Sequence, residues 1–277
     1  MIANPRLIAS SSMSPKVDRD GLLGALICGD AEYEVQIRDL DSVLRKYDTF
    51  STKAMSQSAY VMMTDHFTRW LYRPGSDILL VDGHCAEEAG KISPISVFCA
   101  TLVENIRSGD QLSMPANNLV LYFFCGQHAW TDGLLSGPCG LIRSLISQLL
   151  IYWPERVSLD LRFLEEVAGL WDSIMRWDVP RLCDVFAELL WQLPRDTSLY
   201  CIIDGISEFE TSLWGWSKEL RTIMTCFQTW LSQNNTEYAT TASVKVFLAG
   251  ARKSTLACDY VSPSCKLDLR AGNFHPR

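Results

Sequence analysis

The sequence lacks the features of secreted, membrane-spanning and nucleic-acid-binding proteins. Its N-terminal segment contains no apolar core of the kind that a signal peptide requires. Its uninterrupted apolar runs, such as Leu119–Cys125, are far too short to cross a bilayer. The net charge of -7 over 277 residues offers no basic surface to a phosphate backbone. We therefore expect a cytoplasmic protein with no membrane span and no nucleic-acid partner.

The ten cysteines contain no Cys-x-x-Cys pair, a common spacing in structural zinc sites. In a protein without a secretion signal, they are expected to be reduced thiols. Cys125 and His128 have Cys-x-x-His spacing, and His84 with Cys85 forms a second pair. Two such pairs are a weak pattern in a chain with ten cysteines. We therefore expect no zinc or other structural metal.

Short apolar runs that alternate with segments of helical spacing are the main pattern present. Continuous apolar runs are typical of strands buried on both faces, which a parallel sheet covered by helices requires. This alternation predicts a three-layer α/β domain. The predicted strands are 78–82, 119–125, 199–204 and 244–249, with a short fifth strand at 266–270, and the predicted helices are 93–107, 135–152, 160–176, 180–193 and 215–233.

The pattern divides the chain into three parts. Residues 1–20 are rich in Ser and Pro and predict a flexible tail. Residues 21–74 predict a helical extension, and residues 75–277 the α/β domain. Within the extension, helices are predicted at 31–48 and 53–72. The first of them carries one apolar stripe, which predicts its buried face: Tyr33, Ile37, Leu40, Leu44 and Tyr47.

The segment ILLVDGHCAEEAGKIS, Ile78–Ser93, has the strand, loop and helix context of a phosphate-binding loop. In such a loop, backbone N–H groups and a helix N-terminus bind the anion, a Lys neutralises it and a hydroxyl binds Mg²⁺. Gly83, Gly90 and Lys91 match the glycines and the lysine of that pattern.

The same loop departs from the pattern in spacing and in charge. Six residues separate its two glycines, where the signature has four. Ile92 stands at the hydroxyl position, and Ser93 follows one place later. Glu87 and Glu88 bring negative charge to a site meant for phosphates, which costs several kcal/mol if they face the ligand (about 4 kcal/mol for unit charges about 4 Å apart).

A second candidate feature is the acidic segment CIIDGISEFE, Cys201–Glu210. Asp204 ends a buried strand, the position at which P-loop NTPases hold Mg²⁺ through water, and Glu208 follows it. The alternative for Asp204 is a structural role, in which the side chain caps the following turn.

Six segments in order carry a family resemblance: RWLYRPGSDILLVDG, NLVLYFFCG, GLIRSLISQLL, VFAELLWQLP, CIIDGISEFE and VKVFLAGARKS. Over residues 50–277 the chain resembles the nucleotide-binding domain of NACHT-type STAND NTPases, particularly those abundant in fungi. The resemblance implies a P-loop NTPase-like fold of the ASCE class, with ATP or GTP and Mg²⁺ as its ligands.

The resemblance also assigns roles to residues. Asp204 and Glu208 map onto the catalytic acidic motif, with Asp204 holding Mg²⁺ through water. Ser207 stands where the family has a second Asp, and the winged-helix and repeat regions of longer members are absent. The residues implied for nucleotide binding are Gly83, Gly90, Lys91, Ser93 and, as a γ-phosphate sensor, Arg252.

These matches and departures predict a degenerate, truncated NACHT/STAND-like (NLR-like) protein, a pseudo-NTPase with weak nucleotide binding at most and a regulatory or protein-interaction role. The expected partners are full-length NACHT/NLR-like proteins or further copies of the chain. The two Trp of Ser212–Lys218 are a candidate contact patch. The alternatives are an active ATP or GTP hydrolase and an accessory pathway protein that has reused the fold.

Overall fold

The structure, a computed structural model, describes residues 17–27, 34–109, 117–131, 133–234 and 242–270. These residues form one five-stranded parallel sheet with helices on both faces, which confirms the predicted α/β class. The four main strands lie within one residue of their predicted bounds, and the fifth is shorter than predicted. The strands are β1 Asp77–Asp82, β2 Asn118–Phe124, β3 Ser198–Asp204, β4 Ser243–Gly250 and β5 Lys266–Asp268.

The strand order is β2-β3-β4-β1-β5. The strand β4 therefore separates β1, which leads into the loop with Lys91, from β3, which ends at Asp204. Asp82 pairs with Gly250, and Phe124 pairs with Asp204, so the carboxyl ends of the strands form one edge. In open parallel sheets this edge is where ligands bind.

Ten α-helices lie in the described residues. Four of them precede the sheet, and α1 begins inside the predicted tail, where Asp18 caps it by accepting from the Gly21 amide. Residues 1–16 lie outside the described part. The helices are α1 Arg19–Leu26, α2 Val35–Leu44, α3 Thr52–Ala59, α4 Asp65–Tyr72, α5 Pro94–Ser108, α6 Gly137–Ile151, α7 Phe163–Glu166, α8 Leu170–Met175, α9 Val179–Trp191 and α10 Trp216–Asn234.

The core has two halves, one on each face of the sheet. Alternate strand residues enter opposite halves, as the period-two pleat requires: Leu199 and Cys201 point to one, Tyr200 and Ile202 to the other. The first half is closed by α1, α6, α9 and α10, and the second by α2, α3, α4 and α5. The N-terminal helices therefore contribute to both halves of the same core.

Two predicted helices are interrupted. The helix predicted at 53–72 divides into α3 and α4 because Thr64 takes an extended backbone and its side chain caps α4 at the Phe67 amide. The helix predicted at 160–176 divides into α7 and α8 at Gly169, whose φ of 74° is left-handed.

The predicted buried stripe of α2 is partly wrong. Leu40 is buried, but Ile37 and Tyr47 are 46% and 56% exposed. Gln36 and Val43 take the inward positions instead, so the helix is rotated from the face that the stripe predicts. Tyr33 lies outside the described residues.

Helix α6 carries two buried polar residues with structural roles. β2 is an edge strand, and Gln148 pairs with its free backbone: the side chain accepts from the Tyr122 amide (3.0 Å) and donates to the Tyr122 carbonyl (2.8 Å). The Arg143 guanidinium donates to the carbonyls of Leu26 and Leu134 and lies 3.6 Å from the Trp177 ring centroid. Both residues of the RSLISQLL motif thus tie α6 to its neighbours.

No helix in the described ranges is long and apolar enough to serve as a membrane span.

Candidate functional site

The loop after β1 runs first along the end of β4. The Gly83 amide donates to the Gly250 carbonyl (2.8 Å), and the Cys85 amide donates to the Ala251 carbonyl (2.9 Å). A Cβ at position 83 would lie 2.8 Å from the Gly250 oxygen, which explains the glycine. The first half of the loop is therefore pinned to the neighbouring strand.

The Gly90-Lys91 pair forms a tight turn. The residues on either side are bridged, with the Ala89 amide donating to the Ile92 carbonyl (2.8 Å), and Gly90 has a φ of 71°. The backbone of this turn lies against the end of β2, since a Cβ on Gly126 would be 2.5 Å from the Lys91 oxygen. Two of the predicted phosphate-loop residues, Gly90 and Lys91, thus lie in a closed hairpin turn.

The N-terminus of α5 is already satisfied by side chains. Ser93 is buried and is the N-cap: its hydroxyl accepts from the Ser96 amide, and the Ser96 hydroxyl accepts from the Ser93 amide. Pro94 has no N–H to offer at the first helical position. The Cys85 sulfur accepts a hydrogen bond from the Ile95 amide in the first turn of α5. Burial raises the pKa of the Cys85 thiol, while the hydrogen bonds with the Ile95 amide and the Ser93 hydroxyl lower it.

The cations expected to meet phosphate are paired with carboxylates of the same chain. Lys91 Nζ lies 2.5 Å from Glu208 Oε2, which joins the end of the loop to the segment after β3. Arg252 lies 3.5 Å from Glu88, with its side chain largely exposed. Glu88 thus faces the candidate sensor residue.

Glu87 is turned away from the site. It accepts from the Ser51 amide (2.8 Å) and from the Ser51 hydroxyl (2.5 Å) at the N-terminus of α3. These two hydrogen bonds lower the pKa of the Glu87 carboxyl. The loop is therefore tethered to the N-terminal helices as well as to the sheet.

Asp204 lies where the sequence predicts it, as the last residue of β3. The side chain is 2% exposed, and its Oδ1 has no hydrogen-bond partner in the described part of the chain. Burial raises the pKa of Asp204 to about 7, against the opposing effects of the Ser96 hydroxyl and the Gly205 amide. The hydrogen bonds to this carboxyl therefore offset its burial only in part, and the Gly205 amide of the following turn leaves Oδ1 without a partner in the described ranges.

The acidic segment contains a third carboxylate that sequence reasoning did not single out. Glu210 accepts from the Ser254 hydroxyl (2.5 Å), the Thr255 amide (2.6 Å) and hydroxyl (2.8 Å), and the Ala257 amide (2.9 Å). Asp82 accepts from the Ser254 amide (2.9 Å) on the other side. Glu210 thus fixes the segment after β4. Its signal in the sequence is only its place at the end of the acidic motif.

These residues do not fit a triphosphate with Mg²⁺ as they stand. The lysine is neutralised, the Ser93 hydroxyl is engaged in a buried cap, and a thiol occupies the helix N-terminus. Asp204 differs from these residues, because its buried Oδ1 has no hydrogen-bond partner within the described ranges. The predicted residues therefore lie at the carboxyl edge of the sheet, with the lysine, the Ser93 hydroxyl and the α5 N-terminus already engaged by other groups of the chain.

The Cys-x-x-His pair is used differently. His128 Nε2 lies 2.7 Å from Asp39 Oδ2 of α2. Cys125 is completely buried. Across the residues that the structure describes, no three His, Cys, Asp or Glu side chains are grouped so as to hold a metal ion.

The two tryptophans of the Ser212–Lys218 segment have opposite environments. Trp216 is buried against Phe209 and Gly137. Trp214 is 60% exposed and has a φ of 55°, a left-handed backbone that is unusual for a bulky residue. Two loops, one after β2 and one after β3, carry four exposed apolar side chains, here called the tryptophan surface: Trp130, Leu134, Leu213 and Trp214.

Comparison with known families gives one match. The family described as "Nephrocystin 3, N-terminal" matches residues 59–250, which run from the end of α3 to the end of β4. This match is not to NACHT, so the resemblance to NACHT domains stays a prediction. No curated protein matches the chain. Because the match covers more than half of its length, the chain belongs to the Nephrocystin 3, N-terminal family.

Proposed function

We propose that this chain is a degenerate NACHT/STAND-like nucleotide-binding domain that acts by protein interaction and not by nucleotide hydrolysis. The observation that carries the proposal is the 2.5 Å ion pair between Lys91 and Glu208. In a working phosphate loop this lysine meets the phosphates. Here a carboxylate of the acidic segment takes their place.

Four further contacts support the proposal. Glu88 faces Arg252, so a triphosphate would have to displace a second carboxylate. The Gly90-Lys91 turn packs on Gly126, and the Cys85 sulfur accepts from the Ile95 amide of α5, so that amide is not free to bind an anion. Since Glu87 is anchored to Ser51, opening the loop also costs contacts with α3.

A titration with Mg²⁺ and ATP or GTP tests the proposal. We expect no rise in melting temperature at millimolar nucleotide, for the intact chain or for Lys91→Ala. A rise of several degrees that is lost in Lys91→Ala overturns it, because binding to the folded state must stabilise that state.

A paired variant tests the reason for the lack of binding. Glu88→Gln with Glu208→Gln keeps the shape of both side chains and frees Lys91 and Arg252. We expect a measurable response to nucleotide in this variant, again lost on adding Lys91→Ala. The matched control is Glu188→Gln, an exposed change on α9.

The second candidate function is an active ATP or GTP hydrolase. It is favoured by Asp204, whose unpartnered Oδ1 and raised pKa are a cost that Mg²⁺ would relieve. Hydrolysis of ATP or GTP by the intact chain, abolished in Asp204→Asn, is the outcome that would establish this function.

For the interaction role, we propose the tryptophan surface as the contact region and a second copy of the chain as its occupant. Its two loops follow β2 and β3 and meet where Gly137 lies against Trp216. Exposed tryptophans are enriched at interfaces. Light scattering on the intact chain should show self-association that Trp214→Ser weakens and that Met63→Ser, at another exposed apolar residue, leaves unchanged. A monomer at all concentrations would exclude this partner.

A further inference from the structure

Two cysteines, one on α9 and one on α10, lie in contact between these helices. The Cys226 thiol donates to the Cys183 carbonyl oxygen at 3.7 Å, so the two cysteines are in direct contact. Each belongs to a different helix, and 43 positions separate them in the chain. No motif in the sequence marks this pair.

Small side chains of both helices line one cavity at this point. The cavity, of about 280 Å³, is lined by Cys183 and Ala187 of α9 and by Thr222, Cys226 and Thr229 of α10. Interaxial distance depends on the side chains at the contact, and small ones allow the backbones to come together. A disulfide requires such closeness, since its Cα atoms lie within about 7 Å of each other.

The two sulfurs differ in access. Cys183 is buried, and Cys226 is half-buried at the wall of the cavity. The hydrogen bond with Cys226, followed by burial, raises the pKa of Cys183 far above its ordinary value. Cys226 is therefore the sulfur that an oxidant can reach first.

We propose that Cys226 and Cys183 form a peroxide-sensitive pair that closes to a disulfide between α9 and α10. Hydrogen peroxide transfers one oxygen to the Cys226 sulfur: the O–O bond breaks, an S–O bond forms, and water leaves. The Cys183 sulfur then attacks the sulfenic acid; the S–S bond forms, the S–O bond breaks, and hydroxide leaves with the Cys183 proton as a second water. The two sulfurs together lose two electrons, and the peroxide gains them.

The chemical outcome separates this pair from the other thiols. Oxidation of a lone cysteine stops at sulfenic acid or proceeds to irreversible acids, whereas a neighbouring thiol converts it to a disulfide that reductants reverse. The disulfide would join the helix that leads out of the tryptophan surface to α9. A cross-link of this kind restricts the unfolded chain, so the oxidised protein should melt at a higher temperature.

The test uses the intact, fully reduced chain treated with hydrogen peroxide and mapped as peptides without reduction. We expect one peptide pair linked through Cys183 and Cys226, a melting temperature several degrees above that of the reduced chain, and reversal of both by dithiothreitol. In Cys183→Ser, dimedone should trap sulfenic acid on Cys226, and no linked pair should form.

The matched control is Cys139→Ser. Cys139 is also half-buried on a helix, and its sulfur also donates to a carbonyl, that of Trp177 (3.4 Å). This variant should form the disulfide as the intact chain does. Linked peptides from another cysteine pair, or oxidation of other cysteines with Cys183 and Cys226 unlinked, would overturn the proposal, as would a chain that peroxide leaves fully reduced.

Discussion

Asp204 and Glu210 are carboxylates six positions apart in the same acidic segment, and their surroundings are opposite. Glu210 accepts four hydrogen bonds from Ser254, Thr255 and Ala257. Asp204 is more deeply buried and leaves Oδ1 without a partner in the described ranges. Both oxygens of Glu210 thus accept hydrogen bonds, whereas one oxygen of Asp204 does not.

The comparison separates structural from functional acids. Burial alone would raise the pKa of Glu210, but the hydrogen bonds from Ser254, Ala257 and Thr255 outweigh it, and the pKa is lowered. At Asp204 burial prevails and the pKa rises to about 7. A buried acid whose cost the chain does not offset is a candidate for ligand binding, because such costs concentrate at functional sites.

The largest effect is expected for Glu210→Gln. The amide keeps the shape but places a donor against donors, so the free energy of unfolding should fall by about 2–4 kcal/mol. Urea unfolding measures the loss. Because the folded pKa is lowered, this stabilisation is present above the ordinary pKa and is lost as pH falls through the folded value. A loss no greater than that of the exposed control Glu188→Gln would show that these contacts are not structural.

Asp204→Asn should raise the free energy of unfolding, whereas Glu210→Gln lowers it. Since the folded pKa is about 7 and the ordinary value 3.8, ionisation destabilises the folded chain increasingly between those values and constantly above them. At neutral and higher pH, the free energy of unfolding of the variant should be about 1–3 kcal/mol higher than that of the intact chain. Each pKa unit of the shift corresponds to ~1.4 kcal/mol, and the cost of burying an unpaired amide is subtracted from this gain.

The same variant should lose its advantage as the pH is lowered towards 3.8. Urea unfolding over a pH series gives the difference directly. A pH-independent destabilisation would mean that Asp204 is structurally satisfied, and the contrast with Glu210 would disappear.

A third carboxylate, Glu87, is half-buried and has partners at Ser51, which places it between the two. Ser51→Ala removes its hydroxyl partner together with the cap of α3, where Ser51 accepts from the Ala54 amide. The expected loss is about 1 kcal/mol, the ordinary cost of an N-cap. Adding Glu87→Gln to Ser51→Ala should then change the free energy of unfolding little further. If the losses of the two single variants simply add in the double variant, the two residues are not coupled.

The smallest effect on stability is expected for Lys91→Ala. Its ion pair with Glu208 is short but partly exposed, with about a third of the lysine side chain accessible, and water screens it. The free energy of unfolding should change by less than about 1 kcal/mol, and the change should shrink at high salt. A loss as large as that of Glu210→Gln would make the pair structural and would weaken its interpretation as a closed nucleotide site.

Much of the fold follows from local pattern. Continuous apolar runs located the four main strands to within one residue, and Asp204 was correctly placed at a strand end. The interruptions at Thr64 and Gly169 were missed, because helical spacing continues across both. The rotation of α2 was missed because the prediction placed only apolar residues on the buried face. Gln36 is polar, and it is buried because of the elements that pack around it.

The candidate site was predictable only as a set of positions. Gly83, Lys91 and Asp204 were expected at one edge of the sheet, and they lie there. Which carboxylate faces which cation was not predictable, since Glu87, Glu88 and Glu208 are equivalent as residue types. Their distances to Ser51, Arg252 and Lys91 depend on how the loop packs on α3, β4 and the segment after β3.

The sequence by itself determined the class of the fold and placed the candidate site residues at the carboxyl edge of the sheet. Both conclusions depend on short apolar runs and on the residues that end them. Tertiary structure alone decided that the loop is closed, that Asp204 is left without a full set of partners while Glu210 has one, and that Cys183 meets Cys226. These are pairings between segments far apart in the chain, and pairing energy depends on distance and burial, which no local pattern encodes.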